Sequence, residues 1–345
     1  MGARMNESEW TYARAGVDID RKSQAISALV GRLRYRRTGR GRMIELPGQF
    51  TGLMDMGDHI LTLATDGVGT KLLVAEALAK WDTVGIDCMA MNVNDTICVG
   101  AEPIAFVDYI ALDEPRPEVT EQIGIGLDRA AEMANVDLVG GEIAVLPEMV
   151  RGLDLSGTAL GLLDKERMVT GAEVQEGDAI IGLLSSGVHS NGMTLARKVL
   201  AAANVSLHDE VDGLDKSVGM ELLTPTEIYV RDVLRVVGSV KVTGMVDVTG
   251  GGLKNFVRLR KGLEYRITDP IEPQPIFRVL QRLGRITDQE MYRTFNMGMG
   301  FGIVLRPEGV EEALSLLKGK AQLVGRVVKG SGCGIPGLKV HYDTY

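Results

Sequence analysis

The sequence predicts an α+β protein made of two mixed α/β domains. The chain has 345 residues, too many for one ordinary hydrophobic core and suited to two domains of about 150 to 200 residues. Apolar runs typical of strands alternate with segments of helical period in both halves. A polar segment containing glycines, 164–178, separates the halves and precedes a new strand. We therefore place an N-terminal arm or lid at 1–58, a first domain at 59–168 and a second domain at 169–345.

The elements of the arm and the first domain follow from hydrophobic period. A short helix at 22–33 leads into a stretch rich in glycine and arginine, which is typical of an arm. A mostly apolar helix at 82–99 ends before Gly100 and Pro103. The other elements predicted here are a helix at 120–134 and strands at 60–64, 105–112 and 155–163.

The second domain repeats this mixture of elements. Thr287 and Glu290 have the spacing of a capping box, so we expect a short helix at 287–295. The other elements predicted here are helices at 194–203, 252–259, 276–283 and 310–317, and strands at 179–184, 241–246, 297–305 and 322–328.

Composition and charge exclude several classes of protein. Hydrophobic residues make up 45% and charged residues 24% of the chain, as in an ordinary globular protein. The net charge of −8 disfavours binding to nucleic acid or an anionic membrane. No apolar run approaches the ~18 to 20 residues that span a bilayer, and the polar start is unlike a signal peptide. Cys88, Cys98 and Cys333 lack the spacing of a disulfide framework or a zinc site. We therefore expect a cytoplasmic protein without nucleic-acid or membrane partners.

One basic segment departs from this acidic balance. Within the eleven positions 32–42 lie six arginines, interleaved with Thr38, Gly39 and Gly41. A solvated flexible loop is the plainest interpretation, a mobile arm closing over a polyphosphate is the second, and a nucleic-acid contact is the third. The arginines are Arg32, Arg34, Arg36, Arg37, Arg40 and Arg42.

The segment 65–71, Thr-Asp-Gly-Val-Gly-Thr-Lys, follows a strand and resembles a phosphate loop. A Walker A motif requires glycine before the lysine and Ser or Thr after it, whereas Thr70 and Leu72 flank Lys71. The P-loop interpretation therefore fails. What remains is either a plain turn or a strand end where Gly67 and Gly69 let the backbone approach a ligand and Asp66 binds Mg²⁺.

The helix at 82–99 carries polar residues on an otherwise apolar surface. Asp87, Asn94 and Asp95 lie on one side of it, and buried carboxylates without partners are too costly to occur by accident. Either a cation in a polar cleft or a structural pairing with a distant arginine or backbone group would explain them. Because Gly140, Gly141 and Glu142 follow another apolar run, Asp66, Asp95 and Glu142 could converge on a metal-bound nucleotide.

Two glycine-rich turns in the second domain are candidates for phosphate binding, because free N–H groups at helix starts attract anions. His189 is the only one of four histidines within such a turn, although a structural role is equally compatible with that position. A formal G-x-G-x-x-G match at 332–337 contains Pro336 and has no room for a following helix, so a dinucleotide fold is rejected. The turns are Ser185-Ser186-Gly187-Val188-His189-Ser190-Asn191-Gly192 and Thr249-Gly250-Gly251-Gly252.

Taken in order along 11–305, the motifs resemble the phosphoribosylformylglycinamidine cyclo-ligase (aminoimidazole ribonucleotide synthetase) family. The opening pattern at 11–19 and the segment 291–301 are the specific ones, whereas the aspartate motifs are shared with a wider ATP-binding superfamily. The matching stretches are TYARAGVDI at 11–19, TDGVGTK at 65–71, GID at 85–87, NVND at 92–95, GAEP at 100–103, VGGE at 139–142, SSGVHSNG at 185–192, TPTEIYV at 224–230, TGGG at 249–252 and MYRTFNMGMGF at 291–301.

The resemblance implies a homodimer in which the N-terminal sheets join into a barrel, with ATP in a cleft near that interface and a layered α-β-α C-terminal domain. It also implies that ATP, with Mg²⁺, phosphorylates the formyl oxygen of formylglycinamidine ribonucleotide, after which the amidine nitrogen closes the imidazole ring. His189 would then assist proton transfer or hydrogen-bond the developing phosphate.

The candidate site residues form four overlapping groups. ATP binding is assigned to Asp66, Gly67, Gly69, Thr70, Lys71, Asp87, Asn94, Asp95, Gly141 and Glu142. Substrate phosphate binding is assigned to Ser185, Ser186, Gly187, Ser190, Asn191, Thr249, Gly250, Gly251 and Gly252. Catalysis is assigned to His189, Lys71 and Asp66, and metal binding to Asp66, Asp95 and Glu142.

Three positions depart from the family pattern. Ile143 follows Glu142 where threonine is usual, Asp247 replaces a usual histidine, and Glu227 replaces a usual lysine or arginine. Two alternatives to the cyclo-ligase are a paralogous enzyme acting on another amide or phosphate and a catalytically silent ATP-binding subunit.

Overall fold

The computed structural model describes residues 10–12, 14–16, 19–46 and 48–344, and its strands form two sheets, one in each half of the chain. The polar start at 1–9 and three residues of the opening motif, Ala13, Val17 and Asp18, lie outside the described residues. The α-helices are α1 (Ile19–Val30), α2 (Leu72–Leu78), α3 (Val84–Ile97), α4 (Pro117–Ala134), α5 (Met193–Ala202), α6 (Val218–Leu222), α7 (Val230–Ser239), α8 (Pro275–Gly284), α9 (Asp288–Thr294) and α10 (Val310–Leu317). The strands are β1 (Arg42–Met43), β2 (Gly52–Asp55), β3 (His59–Gly67), β4 (Glu102–Leu112), β5 (Asp137–Val145), β6 (Leu153–Asp164), β7 (Ala179–Leu184), β8 (Val242–Asp247), β9 (Leu263–Ile267), β10 (Met299–Leu305), β11 (Ala321–Lys329), β12 (Gly332–Ile335) and β13 (Val340–Tyr342).

The first sheet has six strands in the order β1-β2-β3-β6-β4-β5. All neighbouring strands are antiparallel except β4 and β5, which are parallel and joined through helix α4. Strands β1 and β2 come from the segment predicted as the arm, so the sheet extends further toward the N-terminus than the sequence indicated. Strand β5 forms the opposite edge.

Helices α3 and α4 cover one face of this sheet, which we call the inner face. The two helices approach closely because Gly85 of α3 has no side chain: a Cβ there would lie 2.5 Å from the Ile123 carbonyl oxygen. The outer face stays exposed, and Leu63, Val107 and Tyr109 are 45%, 38% and 41% exposed on it. An apolar sheet face without a covering layer is typical of a protein–protein contact.

The second sheet has seven strands in the order β13-β12-β9-β11-β7-β10-β8. Every residue of β8 and β10 is buried, so both faces of these strands are covered by other elements. Coverage of both faces agrees with the layered α-β-α domain that the family resemblance implies, and the α+β fold of two mixed domains is confirmed.

Most predicted elements are present, with two informative differences. The helix predicted at 252–259 is a 3-10 helix, Gly252–Arg258. The capping box before α9 is only half formed: the Thr287 hydroxyl accepts a hydrogen bond from the Glu290 N–H, but the Glu290 carboxylate accepts one from the Tyr12 N–H at 2.7 Å. Helices α2, α6 and α7 and strands β1, β2, β9, β12 and β13 were not predicted. None of the helices in the described ranges combines the length and apolar character needed to cross a membrane.

Candidate functional site

The two domains meet at a buried ion pair. The Lys71 ammonium donates to Asp87 Oδ1 at 2.8 Å, and both side chains are 0% exposed. Lys71 also donates to the Thr224 carbonyl at 2.6 Å, while the N–H and hydroxyl of Thr226 donate to Asp87 Oδ1 at 2.8 and 2.6 Å. Since Lys71 and Asp87 belong to the first domain and both threonines to the second, we call these four residues the interdomain clamp.

The clamp gives Lys71 and Asp87 protein partners, and their assignment to ATP binding remains a prediction. Burial lowers the pKa of Lys71, and the neighbouring Asp87 charge opposes that shift. With its ammonium occupied by Asp87 and the Thr224 carbonyl, Lys71 holds the domains together in this structure. The contacts of Asp87 are those of a structural pairing, as one of the two explanations from the sequence proposed. Its charged partner is a lysine and not the expected arginine.

Asn94 extends this contact about two helical turns further along α3. Its Nδ2 donates to the Glu227 carbonyl at 2.9 Å, and its Oδ1 accepts from the Tyr229 N–H at 3.1 Å. The Tyr229 hydroxyl in turn donates to the Leu184 carbonyl at the end of β7. Helix α3 is thus tied through backbone groups to the strand that leads into the first glycine-rich turn.

Asp66 lies near the end of β3, as predicted, and faces the inner side of the sheet. Its partner in register on β6 is Gly157, which also pairs with Asp108 of β4, so Asp66 and Asp108 flank a glycine on one face. Asn92 Nδ2 donates to the Asp66 carbonyl at 3.3 Å. The Asp66 carboxylate accepts from the Gly67 N–H. Asp108 is a candidate that sequence reasoning missed, because strand alternation alone does not show which carboxylates share a row.

Asp95 and Asp247 form a carboxyl pair across the domain boundary. The Asp247 carboxyl donates a hydrogen bond to that of Asp95, and the charge of Asp66 acts on both. Burial, followed by the neighbouring carboxylates, raises the pKa of Asp247 well above its usual range, and burial with the Asp66 charge does the same for Asp95. The positive charge of Arg258 partly opposes both shifts.

Glu142 does not join the other carboxylates. It lies inside β5 rather than at the end of a strand, and it pairs in register with Tyr109 of the outer face. Gly141 is the β5 residue beside Asp108 on the inner face. In the described residues, no three His, Cys, Asp or Glu side chains are grouped to hold a metal ion. The expected convergence of Asp66, Asp95 and Glu142 is therefore corrected: the sheet separates Glu142 from the other two.

The turn at 185–192 packs against the second domain through its hydroxyl groups. Ser185 donates to Gln274 at 3.2 Å and Ser186 to the Pro225 carbonyl at 2.5 Å. The Gly187 carbonyl accepts from Asn296 Nδ2. Ser190 shares a hydrogen bond with Thr226 of the interdomain clamp. Just after the turn, Thr194 at the start of α5 shares one with Thr70 of the first domain.

His189 is buried within this turn and differs from the expected acid–base group. It has a left-handed backbone conformation with φ of 63°, and its Nε2 accepts from the Ser186 N–H at 3.3 Å. Burial, with the nearby Lys71 charge, lowers the pKa of His189 to about 3. This lowered pKa differs from the expected value near neutrality, and it favours a neutral imidazole whose Nε2 accepts a hydrogen bond within its own turn.

The second glycine-rich turn, 249–252, lies beside the first. A Cβ at Gly250 would lie 2.9 Å from Asn191 Oδ1, so the two turns are in contact. Gly252 has φ of 52°, and a Cβ there would lie 2.2 Å from the Tyr292 carbonyl oxygen. Only glycine fits this position. The structure thus brings together the two turns that were predicted to bind phosphate.

The start of the arm is anchored at the same place. Besides the bond from its N–H to Glu290, Tyr12 has a hydroxyl that hydrogen-bonds the backbone at Gly192. The arginine-rich segment lies elsewhere, beside β2 and β3, where it borders a cavity of about 730 Å³ that Tyr35, Leu53 and Leu63 also line. The opening motif at 11–19 was the sequence feature that pointed to the Tyr12 contact. The position of the arginine-rich segment could not be predicted from the sequence.

The chain matches two family models. Residues 48–163 match the AIR synthase related protein, N-terminal domain, and residues 175–336 match the AIR synthase related protein, C-terminal domain. Together the matched ranges include every strand of both sheets except β1 and β13, and all of β6 but its last residue.

Curated relatives align over nearly the whole chain. The phosphoribosylformylglycinamidine cyclo-ligase of Methanococcoides burtonii is 46% identical over 337 residues, which cover 97% of this chain and 100% of the relative. That of Methanothermobacter thermautotrophicus is 48% identical over 323 residues, covering 92% and 94%.

Solved structures share the fold at low identity. AaThiL complexed with AMPPCP and TMP has a TM-score of 0.64 at 18% identity and covers 94% of this chain and 96% of its own. The hydrogenase maturation protein HypE in complex with ATP has a TM-score of 0.58 at 18% identity, covering 82% and 83%.

Proposed function

Since the chain belongs to the AIR synthase related protein family, we propose that it converts formylglycinamidine ribonucleotide into aminoimidazole ribonucleotide in purine biosynthesis, using ATP and releasing ADP and phosphate. The observation that carries this proposal is the 46% identity to a named cyclo-ligase over 97% of the chain. The contact between the two glycine-rich turns supports it, because they form one concentrated source of backbone N–H groups for a phosphorylated substrate.

The reaction has two balanced steps. The formyl oxygen attacks the γ-phosphorus of ATP, a P–O bond forms and ADP leaves. The amidine nitrogen then attacks the formyl carbon, the bond from that carbon to the phosphorylated oxygen breaks, and phosphate leaves as the nitrogen loses a proton. Neither step requires a nucleophilic side chain, so the protein contributes positioning and charge stabilisation.

Magnesium fits the carboxylates of the inner face. Asp66 ends β3 on that face, and Asp95 Oδ1 is buried without a hydrogen-bond partner in the described residues. Carboxylate oxygens together with nucleotide phosphates are the ligands that Mg²⁺ prefers. We assign Asp66 and Asp95 to this ion, which when bound neutralises phosphate charge. Glu142 is not assigned to it, because it lies on the other face.

Residues near Asp66 and in the two glycine-rich turns are proposed to bind the nucleotide and the substrate phosphate. Gly67, Gly69 and Thr70 are proposed to approach the nucleotide with their backbone, and the turns at 185–192 and 249–252 to hold the substrate phosphate. His189, being neutral, is proposed to keep the first turn in its anion-binding shape rather than to transfer a proton.

A homodimer is proposed from the outer face of the first sheet. Leu63, Val107 and Tyr109 are exposed there on neighbouring parts of one surface, and a second copy of the same sheet would cover them. We also propose that the enzyme works in the cytoplasm.

The decisive experiment measures ADP release with and without formylglycinamidine ribonucleotide. The proposal expects ADP release that depends on this substrate and yields aminoimidazole ribonucleotide. A paralogous enzyme would release ADP only with a different amide or phosphate acceptor, and a silent subunit would bind ATP without turnover. Either result would refute the proposed function.

A further inference from the structure

Hydrogen-bond acceptors without donors are concentrated where Asp95 and Asp247 meet. Asp247 is 2% exposed, and its Oδ2 has no hydrogen-bond partner in the described part of the chain. The same holds for Asp95 Oδ1 and for Asn92 Oδ1, one helical turn earlier on α3. Buried polar atoms in folded proteins almost always have partners, so several unpaired acceptors in one place indicate a missing ligand.

Asp95 Oδ1 is already assigned to the proposed Mg²⁺ ion, which leaves Asp247 Oδ2 and Asn92 Oδ1 for another ligand. Both are buried oxygens that accept hydrogen bonds, so the matching group must bring N–H or O–H donors to them. The backbone of Asp66, which Asn92 contacts at 3.3 Å, places these acceptors beside the proposed nucleotide site. A phosphate is excluded as their partner, because it too carries only acceptors.

We propose that Asp247 Oδ2, together with Asn92 Oδ1, accepts hydrogen bonds from the amidine of the substrate. This inference rests on the proposed function, in which the substrate carries a phosphate at one end and an amidine next to the reacting formyl group. An amidine differs from the corresponding amide by an N–H in place of a carbonyl oxygen. Acceptor oxygens in a site without water bind the amidine much more tightly than the amide. With the amide, its carbonyl oxygen would face a protein oxygen, and neither would have a hydrogen-bond donor.

Asp247 is suited to this task by its position. It ends β8, with one residue between it and the turn 249–252, so a ligand whose phosphate lies at that turn can reach the Asp247 carboxyl with its other end. The hydrogen bond from Asp247 to Asp95 keeps the carboxyl oriented while Oδ2 remains available for a donor.

Two variants separate recognition from support of the fold. In Asp247→Asn the side-chain amide still donates to Asp95 and still presents an acceptor oxygen. In Asp247→Leu a side chain of similar size fills the space without any acceptor. Calorimetric binding without ATP is measured for formylglycinamidine ribonucleotide and for formylglycinamide ribonucleotide, the amide analogue, with each protein.

Wild type is expected to bind the amidine at least about tenfold more tightly than the amide, which corresponds to ~1.4 kcal/mol. Asp247→Asn is expected to keep most of that preference and Asp247→Leu to lose it. Equal binding of amidine and amide by wild type, or an undiminished preference in Asp247→Leu, overturns the inference. If the leucine variant does not fold, the wild-type comparison decides.

Failure of this inference is distinguishable from failure of the proposed function. If the wild-type protein releases ADP with the amidine substrate but binds amide and amidine equally, the proposed function stands and this inference is refuted. If the wild-type protein does not turn over the amidine substrate, the proposed function is refuted.

Discussion

Lys71 and Asp87 form a fully buried ion pair, 2.8 Å apart, whose remaining partners come from the other domain. Removing one member leaves the other charge buried and unpaired, which costs more than the pair itself contributes. We expect Lys71→Met to lower the free energy of unfolding by about 3 to 5 kcal/mol, measured by urea denaturation. Lys80→Met is the control, since the Lys80–Asp82 pair is partly exposed and is worth at most about 1 kcal/mol. An equal loss in both variants would contradict a special role for the clamp.

Asp66→Asn and Asp95→Asn should remove most ADP release while leaving the fold intact. The reason is that a lost metal contact weakens charge stabilisation in the transition state and leaves packing nearly unchanged. Turnover at saturating Mg²⁺ and thermal unfolding are measured for each variant. Asp137→Asn is the control, because Asp137 is an exposed carboxylate at the start of β5. Wild-type turnover in folded Asp95→Asn protein would end the assignment.

His189 should make stability depend on pH in the acidic range. Its pKa is lowered to about 3 in the folded protein, from 6.5 in its ordinary state. Below 6.5 the unfolded chain binds a proton that the folded protein does not, so stability falls as pH drops toward 3, by up to about 1.4 kcal/mol per pH unit. His189→Gln should flatten this part of the stability curve.

The matched comparison for that curve is His208→Gln, since His208 lies on the surface. The same slope in wild type and His189→Gln would show that His189 is not the group responsible. Activity of the wild type between pH 6 and 8 should carry no ionisation from His189, because the imidazole is already neutral there.

Val107→Glu should prevent assembly if the outer face joins two copies. Val107 is 38% exposed on that face, and a charge buried there without a partner opposes association. Light scattering at micromolar concentration is expected to give a dimer for the wild type and a monomer for the variant. Ile125→Glu is the control, since Ile125 is exposed on α4, which covers the inner face. A wild-type monomer with full activity would contradict the shared barrel.

The fold could be predicted from the sequence wherever a single segment shows a clear pattern of apolar residues typical of a helix or a strand. The helix at 82–99 and the strand at 155–163 were found because one is mostly apolar over a helix-length stretch and the other is bounded by turn residues. Strands β12 and β13 are only four and three residues long, too short for any period to be visible.

The sequence motifs identified candidate site residues but did not show which residues they contact. Asp66, Asp95 and the two glycine-rich turns were identified, yet nothing in the sequence showed that Lys71 would pair with Asp87 or that Glu142 would face away. Those relations depend on strand register and on which domain surface packs against α3. Asp247 stood out only as a departure from the family pattern, and its buried contact with Asp95 gives that departure a physical meaning.

The interdomain clamp also bears on how the protein unfolds. The N–H of Thr226 is bonded to Asp87 and that of Tyr229 to Asn94, so neither amide can reach solvent while the domains remain docked. Hydrogen exchange at these two amides then requires the domains to separate, and separation exposes the buried Lys71 charge. The two sheets, although they share no strand, are therefore expected to melt in a single cooperative transition.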